Sequence, residues 1–421
     1  MSMNRRTFGI GVLAAAGVLA APSIMAAGRP RVAIVGGGAG GATVARYLAR
    51  ATKGAVDITL IEPTRTYYTC FFSNLYLGGF RDFNSIGHSY GTLASEYGIN
   101  VVHDWATAVD RDKKQVQLAS GGSVGYDRLV IAPGIDFKYE TVPGYGIDSA
   151  NKMPHAWKAG SQTQLLKAQI ENMREGGTFV MVAPPNPFRC PPGPYERVSM
   201  VAHVLKQKNP TAKIIVLDPK EKFSKQALFQ EGWAKHYQGM VEWLPGSIAG
   251  KIEQIDADKM EIKTDAETFK ADFANIIPGQ RAGEIATRAG LTNDSGFCPI
   301  VPATMQSQID ENIYLVGDST IAGDMPKSGF SANSQAKVAA MSIQASVTGS
   351  KLFPARFANT CWSLIASDDG VKVGAKYEAT AEKIASTETF ISKTGEDAQL
   401  RKRTYEESIG WYEGITKDIF G

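Results

Sequence analysis

Several residue types that commonly carry protein chemistry are scarce in this 421-residue chain. Its four cysteines are too few for a disulfide scaffold, so each cysteine needs its own explanation. None of the five histidines stands at metal-ligand spacing, and the absence of a Cys-x-x-Cys-His motif excludes a c-type haem attached to this chain. The net charge of +3 predicts no nucleic-acid partner. A hydrophobic fraction of 43% indicates a globular protein of two or three domains.

An apolar run long enough to span a membrane is also missing, although the N-terminus has a shorter one. Two arginines, Arg5 and Arg6, precede the apolar residues 9–21, and small residues follow up to Ala27. A membrane anchor needs about 20 apolar residues, whereas this stretch is shorter and rich in glycine and alanine. The pattern resembles a twin-arginine signal peptide over residues 1–27. We therefore expect export to the periplasm and no integral membrane segment after signal removal.

A glycine motif follows the first predicted strand. Arg31–Val35 is a short apolar run typical of a buried parallel strand. The spacing Gly-x-Gly-x-x-Gly comes next, at Gly36, Gly38 and Gly41. A predicted helix over residues 42–50 follows, and a second strand over residues 57–61 ends at Glu62. The glycines permit a tight turn and close approach of a pyrophosphate, and an acid about 20 residues later binds ribose. This order predicts a dinucleotide-binding fold.

Two later segments indicate which dinucleotide binds. Residues 126–134, Tyr-Asp-Arg-Leu-Val-Ile-Ala-Pro-Gly, resemble the strand and turn at which the chain leaves the FAD domain of two-dinucleotide flavoproteins. Residues 312–318, Asn-Ile-Tyr-Leu-Val-Gly-Asp, resemble the second FAD motif of those proteins. The resemblance implies FAD at the glycine motif and a contact between Asp318 and the ribityl chain. The alternative for Asp318 is a turn residue at a strand end.

The second glycine motif, which binds NAD(P)H in such proteins, is missing. The matching strand is Thr178–Val182, yet the residues that follow it, 183–197, contain six prolines and a single glycine. Proline has no N–H to offer a phosphate and fixes φ at about −65°. The next apolar run, residues 213–218, indicates that the domain itself is kept. We therefore expect no nicotinamide site, a stiff loop that carries Cys190, and another electron donor.

The cysteine positions resemble those of the flavoprotein subunit of flavocytochrome c sulfide dehydrogenase, a relative of the sulfide:quinone oxidoreductases in the glutathione reductase superfamily. The resemblance implies that Cys70, in Tyr-Tyr-Thr-Cys-Phe-Phe, carries FAD through a thioether. It implies a redox-active disulfide between Cys190 and Cys361, and a role for Glu196 in moving protons. It implies no role for Cys298, and a buried cysteine is commonly a small hydrophobic residue.

The residues themselves leave two of these points open. Four cysteines allow three full connectivities, so the pairing of Cys190 with Cys361 does not follow from the sequence. The alternative for Glu196 is a solvated carboxylate at a helix start. The chemistry of the resemblance is nevertheless coherent, because sulfide is a nucleophile that attacks a disulfide and leaves a persulfide and a thiolate.

The resemblance implies an enzyme that oxidises sulfide to elemental sulfur or polysulfide and passes electrons to a c-type cytochrome subunit in a heterodimer. One alternative is a sulfide:quinone oxidoreductase, which delivers electrons to membrane quinone. Residues 372–421 are rich in lysine and glutamate without a long apolar face, which favours the cytochrome. A second alternative is an auxiliary flavoprotein of the periplasmic sulfur-oxidation system, which would be isolated without a haem subunit.

The predicted fold class is α/β, with two Rossmann-like dinucleotide-binding domains, the second without its nucleotide, and a C-terminal α+β region. The expected division is a signal peptide (1–27), a first part of the FAD-binding domain (28–145), an inserted domain like an NAD domain (146–279), a second part of the FAD-binding domain (280–350) and a C-terminal domain (351–421). We expect the C-terminal domain to contribute strands and a final helix to the flavin pocket and to the partner surface.

Overall fold

The computed structural model describes residues 28–421, so the predicted signal peptide, residues 1–27, lies outside the described residues. The first sheet, here called the N-terminal sheet, is fully parallel. Its strands, in spatial order, are Ile313–Leu315, Arg128–Ile131, Arg31–Val35, Asp57–Ile61 and Asn100–Val102. Most of their side chains are buried apolar residues, as in parallel sheets covered on both faces. Segments that are distant in the sequence therefore complete one sheet.

A second parallel sheet, here called the central sheet, consists of Val241–Leu244, Lys213–Leu217, Thr178–Val182 and Phe273–Ile276, in spatial order. Its core is shared with the helices Ser161–Glu171, Gly193–Lys208 and Gln226–His236. A small antiparallel sheet lies in the same part of the chain and consists of Ile252–Asp256, Glu261–Thr264 and Thr268–Lys270. Two parallel sheets, each covered by helices, confirm the predicted α/β class.

Two strands connect the N-terminal and central sheets. Ile135–Lys138 leads the chain out of the N-terminal sheet, and Gly279–Ala282 leads it back. The two strands pair with each other in antiparallel fashion. The outgoing and returning segments therefore support each other through backbone hydrogen bonds.

The C-terminal sheet is antiparallel and consists of Arg356–Ala366, Asp369–Ala379 and Ile384–Ile391. Along the first strand, buried and less buried side chains alternate with the period of a strand before the strand becomes fully buried. The final helix, Ala398–Phe420, begins after Asp397, whose carboxylate accepts two backbone N–H groups of the first turn. This helix packs against the middle strand of the C-terminal sheet.

Shorter elements complete the chain. Further helices are Ala39–Thr52, Ser73–Leu77, Gly91–Ser95, Gly246–Ala249, Glu284–Arg288 and Gly329–Thr348, with 3₁₀ turns at Phe83–Ile86, Tyr139–Thr141, Ser149–Asn151 and Gly317–Ser319. Short strand pairs join Thr66–Tyr68 to Gly87–Ser89 and Cys298–Pro299 to Thr320–Ile321. A three-stranded antiparallel sheet consists of Ala106–Asp110, Gln115–Leu118 and Ser123–Gly125.

Two predicted boundaries differ from the structure. The first helix begins at Ala39 rather than at Ala42, because Gly38 is already its N-cap and the later glycines of the motif are helical. The proline-rich segment is helical from Gly193 onward, so its last residues are not a loop. Proline is tolerated there because the first-turn N–H groups of a helix have no intrahelical acceptor.

Within residues 28–421, no helix has the length and apolarity needed to cross a membrane. The same residues contain no cluster of three or more His, Cys, Asp or Glu side chains that could hold a metal ion. Burial lowers the pKa of His155 to about 3, so this histidine is neutral where it packs against Phe137.

Candidate active site

The glycine motif forms a tight turn between the first strand and the first helix. Gly36 has a φ of +96°, and a Cβ there would lie 2.4 Å from the carbonyl oxygen of Ala132. A Cβ at Gly41 would lie 1.9 Å from the carbonyl oxygen of Gly36. Both positions therefore require glycine. The Glu62 carboxylate accepts a hydrogen bond from the Gly37 N–H at 2.8 Å, so the predicted ribose-binding acid lies beside the turn.

Asp318 lies in the 3₁₀ turn Gly317–Ser319, directly after a strand of the N-terminal sheet. Burial raises the pKa of its carboxyl group. Its Oδ2 lies 3.6 Å from Nη1 of Arg189, while Oδ1 has no hydrogen-bond partner among residues 28–421. An unpaired buried carboxylate oxygen is costly unless a ligand donates to it. The glycine turn, Glu62 and Asp318 therefore fit the predicted FAD.

Three cysteines from distant parts of the chain line a single cavity. They are Cys70, Cys190 and Cys361, and Glu196 lies at the same cavity. Tryptophan side chains form part of the remaining wall, at Trp157, Trp362 and Trp411. Cys298 is 0% exposed and lies in the core around the N-terminal sheet. The structure thus brings together four of the predicted site residues and separates Cys298 from them.

Cys190 has an unusual backbone conformation. Its φ of 58° lies in the left-handed region, which is uncommon for residues other than glycine, asparagine and aspartate. Its N–H donates to the Lys327 carbonyl at 2.8 Å, and its own carbonyl accepts from the Gly193 N–H at 2.8 Å. These two bonds hold the strained residue in one conformation at the cavity wall.

The other two cavity cysteines also lie on ordered backbone. Cys361 is on the first strand of the C-terminal sheet, opposite Val373, and its sulfur accepts from the Asn359 side-chain amide at 3.4 Å. Cys70 precedes a short helix, and its carbonyl accepts from the Ser73 hydroxyl at 2.6 Å. Each thiol is therefore positioned by a different element.

The environment of the three thiols disfavours negative charge. All four cysteines are free thiols in this structure. Burial raises the pKa of Cys70, Cys190 and Cys361. After burial, the proximity of Cys361 and Glu196 raises the pKa of Cys190 further. A thiolate in this cavity therefore needs a positive charge nearby.

Glu196 lies in the first turn of the helix Gly193–Lys208. Its Oε2 accepts from the Asn74 side-chain amide at 2.9 Å, and its Oε1 accepts from the Leu364 backbone N–H at 2.9 Å. Burial raises the pKa of this carboxyl group. A carboxyl group with a raised pKa exchanges protons nearer to neutral pH than an ordinary glutamate. This environment suits a group that accepts and donates protons.

Arg197 belongs to the site, although no motif in the sequence indicates it. It is 1% exposed, and burial lowers its pKa to about 9. Its guanidinium donates four hydrogen bonds, to Asn74 Oδ1 (3.1 Å), Asn275 Oδ1 (3.0 Å) and the carbonyl oxygens of His155 (3.0 Å) and Ala156 (2.7 Å). Arg197 therefore ties the helix behind the cavity to the central sheet and to the segment after Cys70.

Lys225 is a second buried cation that the sequence did not indicate. It is 5% exposed and has a left-handed φ of 63°, directly before the helix Gln226–His236. Its Nζ donates to the carbonyl oxygen of Cys361 at 3.0 Å and to the Ser363 hydroxyl at 2.8 Å. Burial lowers the pKa of Lys225 to about 8. Lys225 shares a short connecting segment with Lys220 and Lys222, and no periodicity or motif there predicts that its side chain is buried at the cavity.

The acid that follows the second strand of the central sheet in chain order is buried and hydrogen-bonded to other side chains. Asp218 directly follows the strand Lys213–Leu217 of the central sheet. In a nucleotide-binding domain of this kind, the acid that binds ribose stands at the end of the corresponding strand. Asp218 is 0% exposed, and its Oδ2 accepts from the Tyr195 hydroxyl at 2.6 Å and the Trp243 indole at 3.0 Å. Its Oδ1 lies 2.6 Å from Nζ of Lys220. The Tyr195 ring stacks on Phe223. Both oxygens of Asp218 are thus already engaged.

Protein-family models match three parts of the chain. The model described as "Sulfide dehydrogenase [flavocytochrome c] flavoprotein chain, central" matches residues 163–278. The model described as "Flavocytochrome c sulphide dehydrogenase, flavin-binding" matches residues 354–420. The model described as "Pyridine nucleotide-disulphide oxidoreductase" matches residues 30–172. Together these matches include the segments that carry Cys70, Cys190 and Cys361.

Individual proteins show the same relationship. The sulfide-quinone reductase of Aquifex aeolicus is 24% identical over 406 residues, which cover 90% of this chain and 90% of that protein. A sulfide dehydrogenase [flavocytochrome c] flavoprotein chain from Chlorobaculum thiosulfatiphilum is 49% identical over 47 residues, 11% of this chain and 96% of that sequence. The match to the mitochondrial sulfide:quinone oxidoreductase of Mus musculus, at 21% identity, covers 69% of this chain and 65% of that protein, less than two thirds of its length.

Solved structures show the same fold. The crystal structure of the sulfide:quinone oxidoreductase from Aquifex aeolicus superposes with a TM-score of 0.70 at 18% sequence identity. The superposition covers 93% of this chain and 92% of that chain. This likeness confirms the predicted α/β fold class.

Proposed function

Because the chain belongs to the flavoprotein family of the sulfide dehydrogenases and sulfide:quinone oxidoreductases, we propose that it oxidises sulfide and passes the electrons to a c-type cytochrome. The observation that carries this proposal is the shared cavity of Cys70, Cys190 and Cys361. Three cysteines on three different elements at one cavity beside a dinucleotide fold suit thiol–disulfide chemistry coupled to a flavin.

Sulfide enters as hydrosulfide and attacks a disulfide formed by Cys190 and Cys361. The S–S bond breaks, a persulfide forms on the attacked sulfur, and the other sulfur leaves as a thiolate. Oxidation of HS⁻ to zero-valent sulfur releases two electrons and one proton, and the disulfide forms again as the electrons are passed on. Glu196 lies at the same cavity with a pKa raised by burial, so its carboxylate is the acceptor for that proton.

FAD is held by the dinucleotide fold of the N-terminal sheet. The glycines of the turn, Gly36, Gly38 and Gly41, allow the pyrophosphate to approach the helix N-terminus. Glu62, whose Oε2 accepts only the Gly37 N–H among residues 28–421, would bind the ribose, and the unpaired Oδ1 of Asp318 would accept from the ribityl chain. Cys70 lies in the cavity wall, and its sulfur would carry FAD through a thioether. Bound FAD takes up two electrons together and releases them singly, as a haem acceptor requires.

The electron donor is sulfide rather than a nicotinamide coenzyme. Asp218 is 0% exposed and each of its oxygens already has two donors, so neither is free for a ribose. Tyr195 and Trp243 donate to Oδ2, and the backbone N–H and Nζ of Lys220 face Oδ1. The turn before the helix Gly193–Lys208 is rich in proline, which has no N–H to offer a pyrophosphate. These two features support a central domain that has kept the nucleotide fold without its ligand.

The acceptor is a separate c-type cytochrome subunit in a heterodimer. The family models that match residues 163–278 and 354–420 are described as flavocytochrome c proteins, which supports this choice. Quinone is a second candidate, favoured by the 24% identity to the Aquifex aeolicus sulfide-quinone reductase over 90% of the chain. The interspersed lysines and glutamates of residues 372–421 favour a protein partner over a bilayer surface.

The proposed location is the periplasm. The support is the sequence of residues 1–27, where a pair of arginines, a short apolar stretch and small residues follow one another as in a twin-arginine signal. Export in a folded state suits a protein that carries FAD covalently. N-terminal sequencing of the protein from a periplasmic extract tests this proposal, and a chain that keeps residues 1–27 in the cytoplasm contradicts it.

The decisive experiment compares electron acceptors. The holoprotein, purified with any haem subunit that accompanies it, is mixed with sulfide and either cytochrome c or a soluble ubiquinone analogue. We expect reduction of cytochrome c at a rate that depends on sulfide, and no flavin reduction by NADH. Reduction of the quinone alone supports the second candidate. A lone flavoprotein that sulfide does not reduce supports an auxiliary role and contradicts the enzyme.

A further inference from the structure

Lys225 is a buried cation without a carboxylate partner. The ion pairs among residues 28–421 do not include it, whereas the nearby Lys220 lies 2.6 Å from the Asp218 carboxylate. The two acceptors of the Lys225 ammonium, the Cys361 carbonyl and the Ser363 hydroxyl, are both neutral. Burial of an ammonium without a counter-charge is strongly unfavourable. The site therefore has a positive charge that no direct ion pair among residues 28–421 balances.

The titratable groups that face Lys225 are two cysteines and a glutamate of the cavity. Cys361 lies on the strand to which the ammonium is hydrogen-bonded. Glu196, on the helix Gly193–Lys208, and Cys190, on the proline-rich segment, are the other titratable groups whose negative forms attract it. An ammonium has three N–H donors, and only two of them have partners in the described part of the chain. One donor remains for a group that becomes negative during the reaction.

We propose that Lys225 is a positioning residue that balances the thiolate formed on Cys361, and that it thereby directs hydrosulfide to Cys190. This inference rests on the proposed disulfide chemistry. The disulfide is neutral and HS⁻ carries one negative charge. Attack on the Cys190 sulfur breaks the S–S bond, leaves a persulfide on Cys190, and transfers the charge of the attacking anion to the Cys361 sulfur, so no other reactant is needed.

The alternative direction of attack is disfavoured by the same arrangement. A persulfide on Cys361 would leave the thiolate on Cys190, whose pKa burial raises well above its usual range. Burial and Glu196 raise the pKa of both thiols and Lys225 lowers both, but the Cys361 sulfur also accepts a hydrogen bond from the Asn359 side-chain amide at 3.4 Å. Lys225 is hydrogen-bonded to the backbone of Cys361 itself, so the cation stays beside that residue. Two other buried cations line the cavity, and both are already engaged. Arg197 donates four hydrogen bonds to neutral acceptors. Arg189 lies 3.6 Å from the Asp318 carboxylate and donates to the Trp157 carbonyl.

The test compares Lys225→Gln, which keeps a hydrogen-bond donor but removes the charge, with Lys225→Arg, which keeps the charge. Lys222→Met is the matched control, because Lys222 lies in the same segment and is exposed. Each holoprotein is reduced with dithiothreitol and alkylated with iodoacetamide over a range of pH, and modification of Cys361 is followed by peptide mass spectrometry. Loss of one neighbouring charge raises a thiol pKa by about one unit, so we expect about tenfold slower alkylation of Cys361 in Lys225→Gln at neutral pH.

Lys225→Arg is expected to restore most of that rate, and Lys222→Met is expected to match the parent. In a second measurement, one equivalent of sulfide is added to the oxidised proteins and persulfides are trapped by alkylation. The parent should carry its persulfide on Cys190, and Lys225→Gln should distribute it over Cys190 and Cys361.

Two outcomes overturn the inference. Parent-like alkylation of Cys361 in folded Lys225→Gln, judged by its flavin absorbance and melting temperature, removes the proposed charge effect. A parent persulfide found on Cys361 removes the proposed direction of attack, and this measurement does not depend on whether Lys225→Gln folds. Failure of the proposed function is a separate result: the parent would then show no sulfide-dependent electron transfer, whatever the alkylation rates are.

Discussion

Substitution of Glu196 by glutamine changes charge and hydrogen bonding at one atom of the site. Each carboxylate oxygen of Glu196 accepts one N–H, from Asn74 and from the Leu364 backbone, both at 2.9 Å. A glutamine has a single acceptor oxygen, so its NH₂ group would face another donor. Rotation of the Asn74 amide cannot relieve this, because its Nδ2 also donates to the Gly193 carbonyl and its Oδ1 accepts from Arg197.

Glu196→Gln should affect both stability and activity, and the two effects differ in size. One unsatisfied buried donor lowers the free energy of unfolding by about 1–3 kcal/mol, which leaves a protein of ordinary stability folded. Loss of a proton acceptor lowers the rate by about 100-fold to 10,000-fold. Glu196→Gln should therefore remain folded and lose about 99% or more of its sulfide-dependent cytochrome c reduction.

The pH dependence has a definite sign. Burial raises the pKa of the Glu196 carboxyl group, so this base is protonated, and inactive as an acceptor, up to a higher pH than an ordinary glutamate. The kcat/KM of the parent should therefore rise with pH through this raised pKa, and Glu196→Gln should lose that rise. The Glu196 carboxyl group has a higher pKa in the folded protein than in the unfolded chain. Its contribution to the free energy of unfolding is therefore fully present below the unfolded pKa and is lost as the pH rises through the folded pKa.

The control is Glu221→Gln. Glu221 is exposed, and it also accepts a backbone N–H and a side-chain donor, both from Ser247, at 2.7 Å and 2.9 Å. This variant should keep the parent activity. Initial rates of cytochrome c reduction and urea unfolding are measured for both variants. A folded Glu196→Gln protein that retains half of the parent activity, or keeps the rise with pH, would refute the role of Glu196 in proton transfer.

Three further substitutions address the cofactor and the scaffold. Cys70→Ser should release all its flavin on acid precipitation, whereas the parent should keep the flavin mass on the peptide that contains Cys70; free FAD from both contradicts the thioether. Arg197→Met removes four hydrogen bonds from buried acceptors and should lower the free energy of unfolding by about 3–5 kcal/mol in urea titrations; a loss below about 1 kcal/mol counts against this. Gly41→Ala, whose Cβ would lie 1.9 Å from the Gly36 carbonyl oxygen, should yield protein without flavin absorbance; normal flavin content would show that the turn tolerates a side chain.

The dinucleotide fold could be predicted because its signals are local. The strand, the glycine turn and Glu62 follow one another within a short stretch, and the structure places the Glu62 carboxylate 2.8 Å from the turn. The start of the first helix was predicted too late, because glycines inside a helix look like a turn when only propensity is considered. The helical end of the proline-rich segment was missed for a similar reason, since proline reads as a helix breaker unless it stands in a first turn.

Composition and order along the chain thus determined the α/β class, the glycine turn, the missing second phosphate turn and the three cysteines that resemble those of a known family. Chain order does not determine distance, and only the packing of the C-terminal sheet against the helix Gly193–Lys208 brings Cys361 to the cavity of Cys190. The same packing buries Lys225 beside Cys361. A single lysine carries no periodic pattern, and its burial is stabilised by contacts with residues more than a hundred positions away, which exist only after folding.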